Sequence, residues 1–545
     1  MHAIQDQKTN ITTLWKGAGL WNVYFIAKFV LAFQGYLNLN LFYNALLLAW
    51  VVFPIRNRSL NVLRTLIALA AGFALAYSES WLPSVESIMA NAGNVADFSL
   101  LYIAQLAFEA INFKMVGCGF LLVVAYLFIK DWIRVTGFTV LYLAWLFVAP
   151  LIPALVGNDK PASCEGAVVA QNTAAENNAK GPVQSPANDS ASINKWLEAF
   201  YAHEKSRQTE FPISIADKTP FDILLVNICS LATDDLEVSG LTGHPVLKQF
   251  DIYFDKFNSA TAYSGPATMR LLSASCGQPE HTALYDGRRP ECELLTRLQS
   301  LGYEQSLFMD HEGKFDSYIE SLQSRVGLAA SLSSQKNYKV RYMGFDDEPI
   351  FDDADVFNAW LKSVKSAAPE HRSAALMNLI ALHDGNRMPG ASKSLDFKPR
   401  AQILLDQLGD LMQNIEASGR RVMLVVVPEH GAAVRGDKIQ MARLRDIPSP
   451  HLTRIPVMVK YFGAKEAVKP VHVAEETSYL ALSELIARSL DAKVFTGESD
   501  KAVKAMTENL PQTYAVSENA NAAVLKYGDK HFVRLNKGDW LPYAK

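Results

Sequence analysis

Three short segments of this chain carry residues able to do chemistry. Pro428-Glu429-His430 follows directly on the apolar run Val422–Val427, and Cys229 follows the similar run Phe221–Ile228. Runs that short, β-branched and bounded by turn residues read as buried parallel strands. Cys229, Glu429 and His430 should therefore emerge at strand carboxyl ends, where α/β sheets carry their ligands. A thiolate beside imidazole and carboxylate selects zinc over magnesium, manganese or calcium, although Cys229 taken alone reads as a buried core thiol.

In the third segment, Thr261–Leu272, Gly265-Pro266 mark a turn into a helix and place Ser264 near its amino terminus, where backbone N–H groups favour a phosphate. A serine there is either an N-cap or, if a divalent cation lowers the pKa of its hydroxyl, a nucleophile. Three ligands, Cys229, Glu429 and His430, leave the fourth zinc position for the Ser264 oxygen, and no full ligand set for a second metal is legible. His383, after the run Leu376–Leu382, reads as a general acid or base or as a hydrogen-bonded strand-end histidine. Tyr263 adjoins the serine, and Arg445 has the forked guanidinium suited to a phosphate; either also reads as a surface residue.

The elements that must position these residues follow from pattern. After Lys195, apolar strand runs alternate with helical periodicity: a helix after Ser264, one over Glu293–Leu301, a strand Leu376–Leu382 and a helix Arg400–Ser418. That alternation predicts a mostly parallel sheet sandwiched between helices. Ala523–Leu535 predicts a hairpin around Gly528-Asp529, and His531 on it receives no role. The net charge of -3 gives no reason to expect nucleic acid.

Ahead of this domain, residues 1–156 are dominated by apolar stretches. Five spans are predicted, Leu20–Phe33, Leu39–Phe53, Leu60–Tyr77, Val116–Ile129 and Phe138–Leu155, together an all-α transmembrane bundle. Lys8, Lys16, Arg56, Arg58, Arg64, Lys130 and Arg134 mark inner loops, and Glu79, Glu86 and Asp97 an outer one. Ser99–Phe113, which carries Glu109, reads as an interfacial helix. Lys28 interrupts the first span and no small-residue cleavage site follows, so a cleaved signal peptide is not expected. Five crossings put the carboxyl-terminal part outside. Residues 157–194, rich in Ala, Asn, Ser, Gly and Pro, read as a flexible linker with a short helix near Ala167–Lys180, and residues 195–545 as the outer domain. Outside is oxidising, so Cys276 and Cys292 are the natural disulfide; Cys118 falls in a span, Cys164 in the linker, and Cys229 is the odd thiol.

Asn227-Ile228-Cys229-Ser230-Leu231, Ala262-Tyr263-Ser264-Gly265-Pro266-Ala267-Thr268 and Val427-Pro428-Glu429-His430-Gly431-Ala432 together resemble the alkaline-phosphatase superfamily. With five spans ahead of an outer domain, the chain resembles its lipid-dependent transferases, and within them the cellulose phosphoethanolamine transferases. Most lipid A phosphoethanolamine transferases carry threonine, Asp-His-Gly and a carboxylate where this chain has Ser264, Glu429-His430-Gly431 and Cys229.

The resemblance implies a zinc enzyme of the bacterial inner membrane, multi-pass, with its catalytic domain in the periplasm. Ser264 would take phosphoethanolamine from phosphatidylethanolamine and pass it to a glucose 6-hydroxyl of cellulose. His383 would face a phosphate oxygen or a leaving group, and subunits of the cellulose synthase complex would be partners. A phosphoglycerol transferase, a hydrolase and a zinc-stabilised scaffold are the alternatives. A sulfatase is disfavoured, because Ser264 is followed by Gly265-Pro266 instead of the run used to make formylglycine.

Overall fold

The computed structural model describes residues 17–34, 37, 39–55, 57–80, 113–149, 189–437, 439–491 and 493–543. The expectations for Lys8, Lys16, Arg56, Glu86, Asp97, the interfacial helix up to Asn112, Cys164 and the helix near Ala167–Lys180 lie outside these residues.

The carboxyl-terminal part is built on apolar runs that are buried on both faces. Its strands are β1 (Asp222–Ile228), β2 (Ile252–Asn258), β3 (Glu304–Met309), β4 (Val340–Met343), β5 (Pro349–Phe351), β6 (Ser373–Leu379), β7 (Val422–Val426), β8 (Arg454–Phe462), β9 (Val471–Thr477), β10 (Val516–Glu518), β11 (Ala522–Tyr527), β12 (Lys530–Leu535) and β13 (Trp540–Pro542). Seven form one sheet in the order β3-β6-β1-β7-β8-β2-β9. Only β8 runs against its neighbours, so the sheet is mostly parallel, as the alternation of strand and helix requires. In β1, β6 and β7 every residue is buried. Their side chains alternate between two cores: Ile223, Leu225, Leu376 and Val425 on one face, Leu224, Val226, Met377 and Leu424 on the other.

Helices close both faces. Ser264–Leu272, Tyr318–Val326 and Tyr479–Asp491 contribute to the first core, and Asp353–Ser366 and Phe397–Ser418 to the second. β6 ends at Leu379, three residues earlier than its apolar run suggests, which leaves His383 on a loop. β10–β13 form a second, antiparallel sheet that includes the expected hairpin, with Gly528 at φ 61° in its turn. Ile193, Trp196, Leu197 and Phe200 share a core with this sheet, on a helix Ser190–Lys205 capped by Asp189. That helix begins inside the stretch 157–194, because an apolar face at i, i+3, i+4, i+7 outweighs the polar composition around it. A disulfide joins Cys276 and Cys292, as expected.

The amino-terminal part contains helices Trp21–Phe33, Leu41–Val52, Arg58–Glu79, Phe113–Ile129 and Val135–Val148 at the five expected spans. Among the described residues only Arg58–Glu79, with 22 residues, is long and apolar enough to cross a bilayer by itself; the others are shorter apolar helices of 10–17 residues.

Candidate active site

Cys229 is the first residue beyond β1, and Glu429 and His430 lie just beyond β7, its parallel neighbour. Sequence spacing thus becomes adjacency. All three are fully buried, and their ligand atoms lie within 4.8 Å of one another. Ser230 turns the chain away at φ 71°, a left-handed conformation unusual for a residue with a side chain and common where a site demands an abrupt turn. Gly431 permits the two loops to touch, since a Cβ there would sit 2.7 Å from the Ala232 Cβ. The buried Asp235 carboxylate ties both loops, accepting the N–H of Ala232 at 2.8 Å and of Ala432 at 2.7 Å.

Ser264 is the first residue of its helix, and the N-cap position falls to Tyr263. The capping alternative is thereby removed. Its Oγ turns instead into the ligand group, 3.3 Å from Cys229 Sγ and 3.2 Å from His430 Nε2.

Each ligand is oriented by a partner on its other side. His430 Nδ1 donates to the Gly431 carbonyl at 2.9 Å, which leaves the Nε2 lone pair directed at Cys229 Sγ, 4.0 Å away. Glu429 Oε1 accepts from Asn378 Nδ2 at 2.6 Å and lies 3.1 Å from Thr268 Oγ1 and 3.4 Å from the Tyr318 hydroxyl. Its other oxygen, Oε2, is buried without a hydrogen-bond partner, 3.9 Å from His430 Nε2. A second buried set holds these partners in turn. Asn378 Nδ2 also donates to Asn227 Oδ1 at 3.0 Å, and His311 Nε2 donates to Asn378 Oδ1 at 2.9 Å. None of Asn227, Thr268, His311, Tyr318 and Asn378 was singled out from sequence. The readable signal was an asparagine near the end of each of two apolar strand runs, since a polar side chain there must find a buried partner.

The residues fit a zinc ion. Bonds of about 2.0–2.3 Å in a tetrahedron give ligand separations of roughly 3.3–3.8 Å, close to the 3.2 Å and 4.0 Å from His430 Nε2 to Ser264 Oγ and Cys229 Sγ, the 3.9 Å to Glu429 Oε2 and the 3.3 Å between Ser264 Oγ and Cys229 Sγ. The free Glu429 oxygen is the decisive feature, because a buried carboxylate oxygen without a donor is costly unless a cation completes it. Without that cation, burial and then Glu429 push the Cys229 thiol up to about 12, and burial pushes the His430 imidazole well down.

Arg445 and His383 border this group. Arg445 Nη2 lies 3.3 Å from His383 Nε2, and Nη1 reaches Ser230 Oγ at 3.5 Å. His383 Nδ1 donates to the Asp384 carbonyl at 2.7 Å, so Nε2 is the acceptor facing the guanidinium. Burial, then Arg445, depresses the imidazole to about 3 and holds it neutral. Tyr263 donates to Asp446 at 3.1 Å. Asn519 fastens the segment before Ser264 to the one carrying Arg445: its amide accepts from Ala262 N at 3.0 Å and donates to the Arg445 carbonyl at 2.8 Å. All seven site residues expected from sequence, Cys229, Tyr263, Ser264, His383, Glu429, His430 and Arg445, thus fall in one neighbourhood, whereas the disulfide's Cys276 lies beyond the far end of the Ser264 helix.

A mostly parallel sheet with a buried thiol, carboxylate and imidazole at two neighbouring strand ends, facing a serine at a helix amino terminus, defines an α/β domain with a candidate metal-and-serine site. The chain belongs to the family of the cellulose biosynthesis protein BcsG. Residues 177–540 match the family's C-terminal domain and residues 21–148 its N-terminal domain. It is 45% identical over 544 residues to "Cellulose biosynthesis protein BcsG" of Salmonella typhimurium strain LT2, covering 97% of each chain. The protein of that name from Escherichia coli K12 is 44% identical, with the same coverage. Among solved structures, an alkaline-phosphatase-superfamily protein from Vibrio parahaemolyticus is similar over 65% of this chain and 91% of its own, with 13% identity and a TM-score of 0.47.

Proposed function

We propose that this protein is a zinc-dependent phosphoethanolamine transferase that carries the head group of phosphatidylethanolamine, through an ester on Ser264, to a glucose 6-hydroxyl of cellulose. The supporting observation is the placement of Ser264 Oγ 3.3 Å from Cys229 Sγ and 3.2 Å from His430 Nε2, with Glu429 Oε2 left unpartnered beside them. Cys229, Glu429, His430 and Ser264 would hold the zinc, which when bound lowers the pKa of the serine hydroxyl and neutralises phosphoryl charge.

Ser264 Oγ attacks phosphorus; its bond to phosphorus forms as the bond to the glycerol oxygen breaks, and diacylglycerol leaves with a proton. The sugar hydroxyl then displaces Ser264 in the same sense, giving up its own proton. The Arg445 guanidinium, already turned toward Ser230, supplies donors for the phosphoryl oxygens. His383, neutral and with Nε2 an acceptor, is suited to take the proton of the incoming hydroxyl once Arg445 engages the phosphoryl group. The five apolar helices would form the membrane-spanning bundle, with residues 157–194 linking it to a catalytic domain in the periplasm, where a lipid head group is the available phosphoryl source. Subunits of the cellulose synthase complex would be its partners.

The test is intact-mass analysis of the full chain after incubation with phosphatidylethanolamine in mixed micelles, with metal content measured in parallel. A phosphoethanolamine-sized addition, absent from Ser264→Ala, is the expected result. A phosphoglycerol-sized addition formed only from phosphatidylglycerol would change the donor. Bound zinc with no adduct and no turnover would sink the transferase reading in favour of a zinc-stabilised scaffold.

A further inference from the structure

A polymer acceptor needs more than the site where one of its sugars reacts; neighbouring units must lie on the protein surface. On the segment that follows His383 there is a cleft of about 430 Å³, lined by Met343, Asp347, Arg387, Pro389, Ala391 and Ser392. That volume lies within the roughly 300–1,000 Å³ of small-ligand sites.

The walls of the cleft are the two segments that hold His383. One continues from His383 itself through Arg387 to Ser392. The other, Met343–Asp347, places the Phe345 ring 4.9 Å from the His383 ring. The two walls are bonded into a frame, Met343 N donating to the Arg387 carbonyl at 2.9 Å and Arg387 N to the Met343 carbonyl at 3.0 Å. The cleft is therefore held by backbone, and its walls are extensions of the two segments that carry His383 and the Phe345 ring packed on it.

Its chemistry suits a neutral polyol. Arg387 is paired with Asp347 and also bonds the Gly344 carbonyl, so its charge is compensated and offers little to an anion. Met343, Pro389 and Ala391 present apolar surface for the C–H faces of a pyranose, while Asp347, Arg387 and Ser392 present acceptors and donors for its rim of hydroxyls. Pro389, Ala391 and Ser392 are exposed, which leaves the cleft open for a chain to run through.

We propose that this cleft is the acceptor subsite, holding the glucose units of a β-1,4-glucan next to the one that reacts. The proposal rests on the transferase reading for its acceptor but not for its test. Cellopentaose and maltopentaose are titrated calorimetrically into the full-length protein carrying Ser264→Ala, and into the same protein with Ala391→Trp or Ser392→Trp added. The expected result is binding of cellopentaose, little binding of maltopentaose, and a Kd for cellopentaose at least 10-fold weaker in both tryptophan variants. Equal affinity in all three proteins, or no cellopentaose binding by the parent, would overturn the subsite. Adduct formation on Ser264 of the unaltered chain is scored separately, so its failure beside cleft-dependent cellopentaose binding would remove the transferase reading and leave the subsite standing.

Discussion

Two buried polar clusters in this molecule differ in one respect: the first holds a cation of its own and the second does not. In the amino-terminal helices Lys28 Nζ faces Glu79 Oε2 at 2.5 Å and donates to Asn44 Oδ1 at 2.7 Å, while Asn44 Nδ2 and Asn40 N donate to Glu79 Oε1. Charge is met within the chain, Glu79 Oε2 by its ion pair with Lys28, and Lys28, Asn44 and Glu79 are 3%, 0% and 4% exposed. At the carboxyl ends of β1 and β7 burial is as deep, but Cys229 Sγ, His430 Nε2 and Glu429 Oε2 converge on one point, and the last of these has no donor. A closed cluster holds helices together; an open one waits for a ligand.

The largest effect should come from the open cluster. Glu429→Gln removes the charge without changing shape, and is expected to lower turnover on the order of 10³-fold and abolish stoichiometric metal binding. The metal-free variant should melt no lower than the metal-free parent, because a buried carboxylate whose Oε2 has no partner is gone. Metal analysis and calorimetry check both halves; a large loss of metal-free stability would erase the contrast.

The closed cluster should answer in the opposite way. Glu79→Ala leaves Lys28 buried without its counter-charge and should destabilise the amino-terminal helices by about 3–5 kcal/mol, most of it restored by pairing Glu79→Leu with Lys28→Met. Unfolding in mixed micelles reads this. Single and double variants of equal stability would show that the pair contributes nothing.

His311 sharpens the comparison through pH. Burial depresses its imidazole to about 4, below the unfolded value of 6.5, so the unfolded chain binds the extra proton. Its contribution to stability should be flat above pH 6.5 and fall as pH drops towards 4, by roughly 3 kcal/mol at about 1.4 kcal/mol per pH unit. Denaturation of His311→Gln at pH 7 and pH 5 should lose most of that slope. Smallest is the effect of Asn378→Leu, which frees Glu429 Oε1 from its shortest bond and should weaken metal affinity about 10–100-fold. Competition with a zinc chelator measures it, and unchanged affinity would mean that Asn378 does not position Glu429.

Much of this site was legible because the strands are short and buried on both faces. An apolar run such as Val422–Val427 announces both its own burial and the emergence of the next residues at a sheet edge, so Glu429 and His430 could be picked out alone. Ser264 was legible through Gly265-Pro266, but its use was not: serine at the first and capping positions looks alike until the Oγ direction is known. The support set was invisible, because Asn227, Thr268, His311, Tyr318 and Asn378 come from five separate segments and share nothing but a destination.

By itself the sequence determined the alternation of strands and helices, the apolar amino-terminal region, the Cys276–Cys292 pair and the types of residue able to bind a soft cation. Those follow from local burial patterns and from side-chain chemistry, which are properties of short segments. Only the tertiary structure decided that β1 and β7 are neighbours, that Arg445 stands between His383 and Ser230, and that one oxygen of Glu429 is satisfied while the other is free. Adjacency in a parallel sheet is set by crossover topology, and a single unmet lone pair by where every other donor has gone; neither is written in any one segment of the chain.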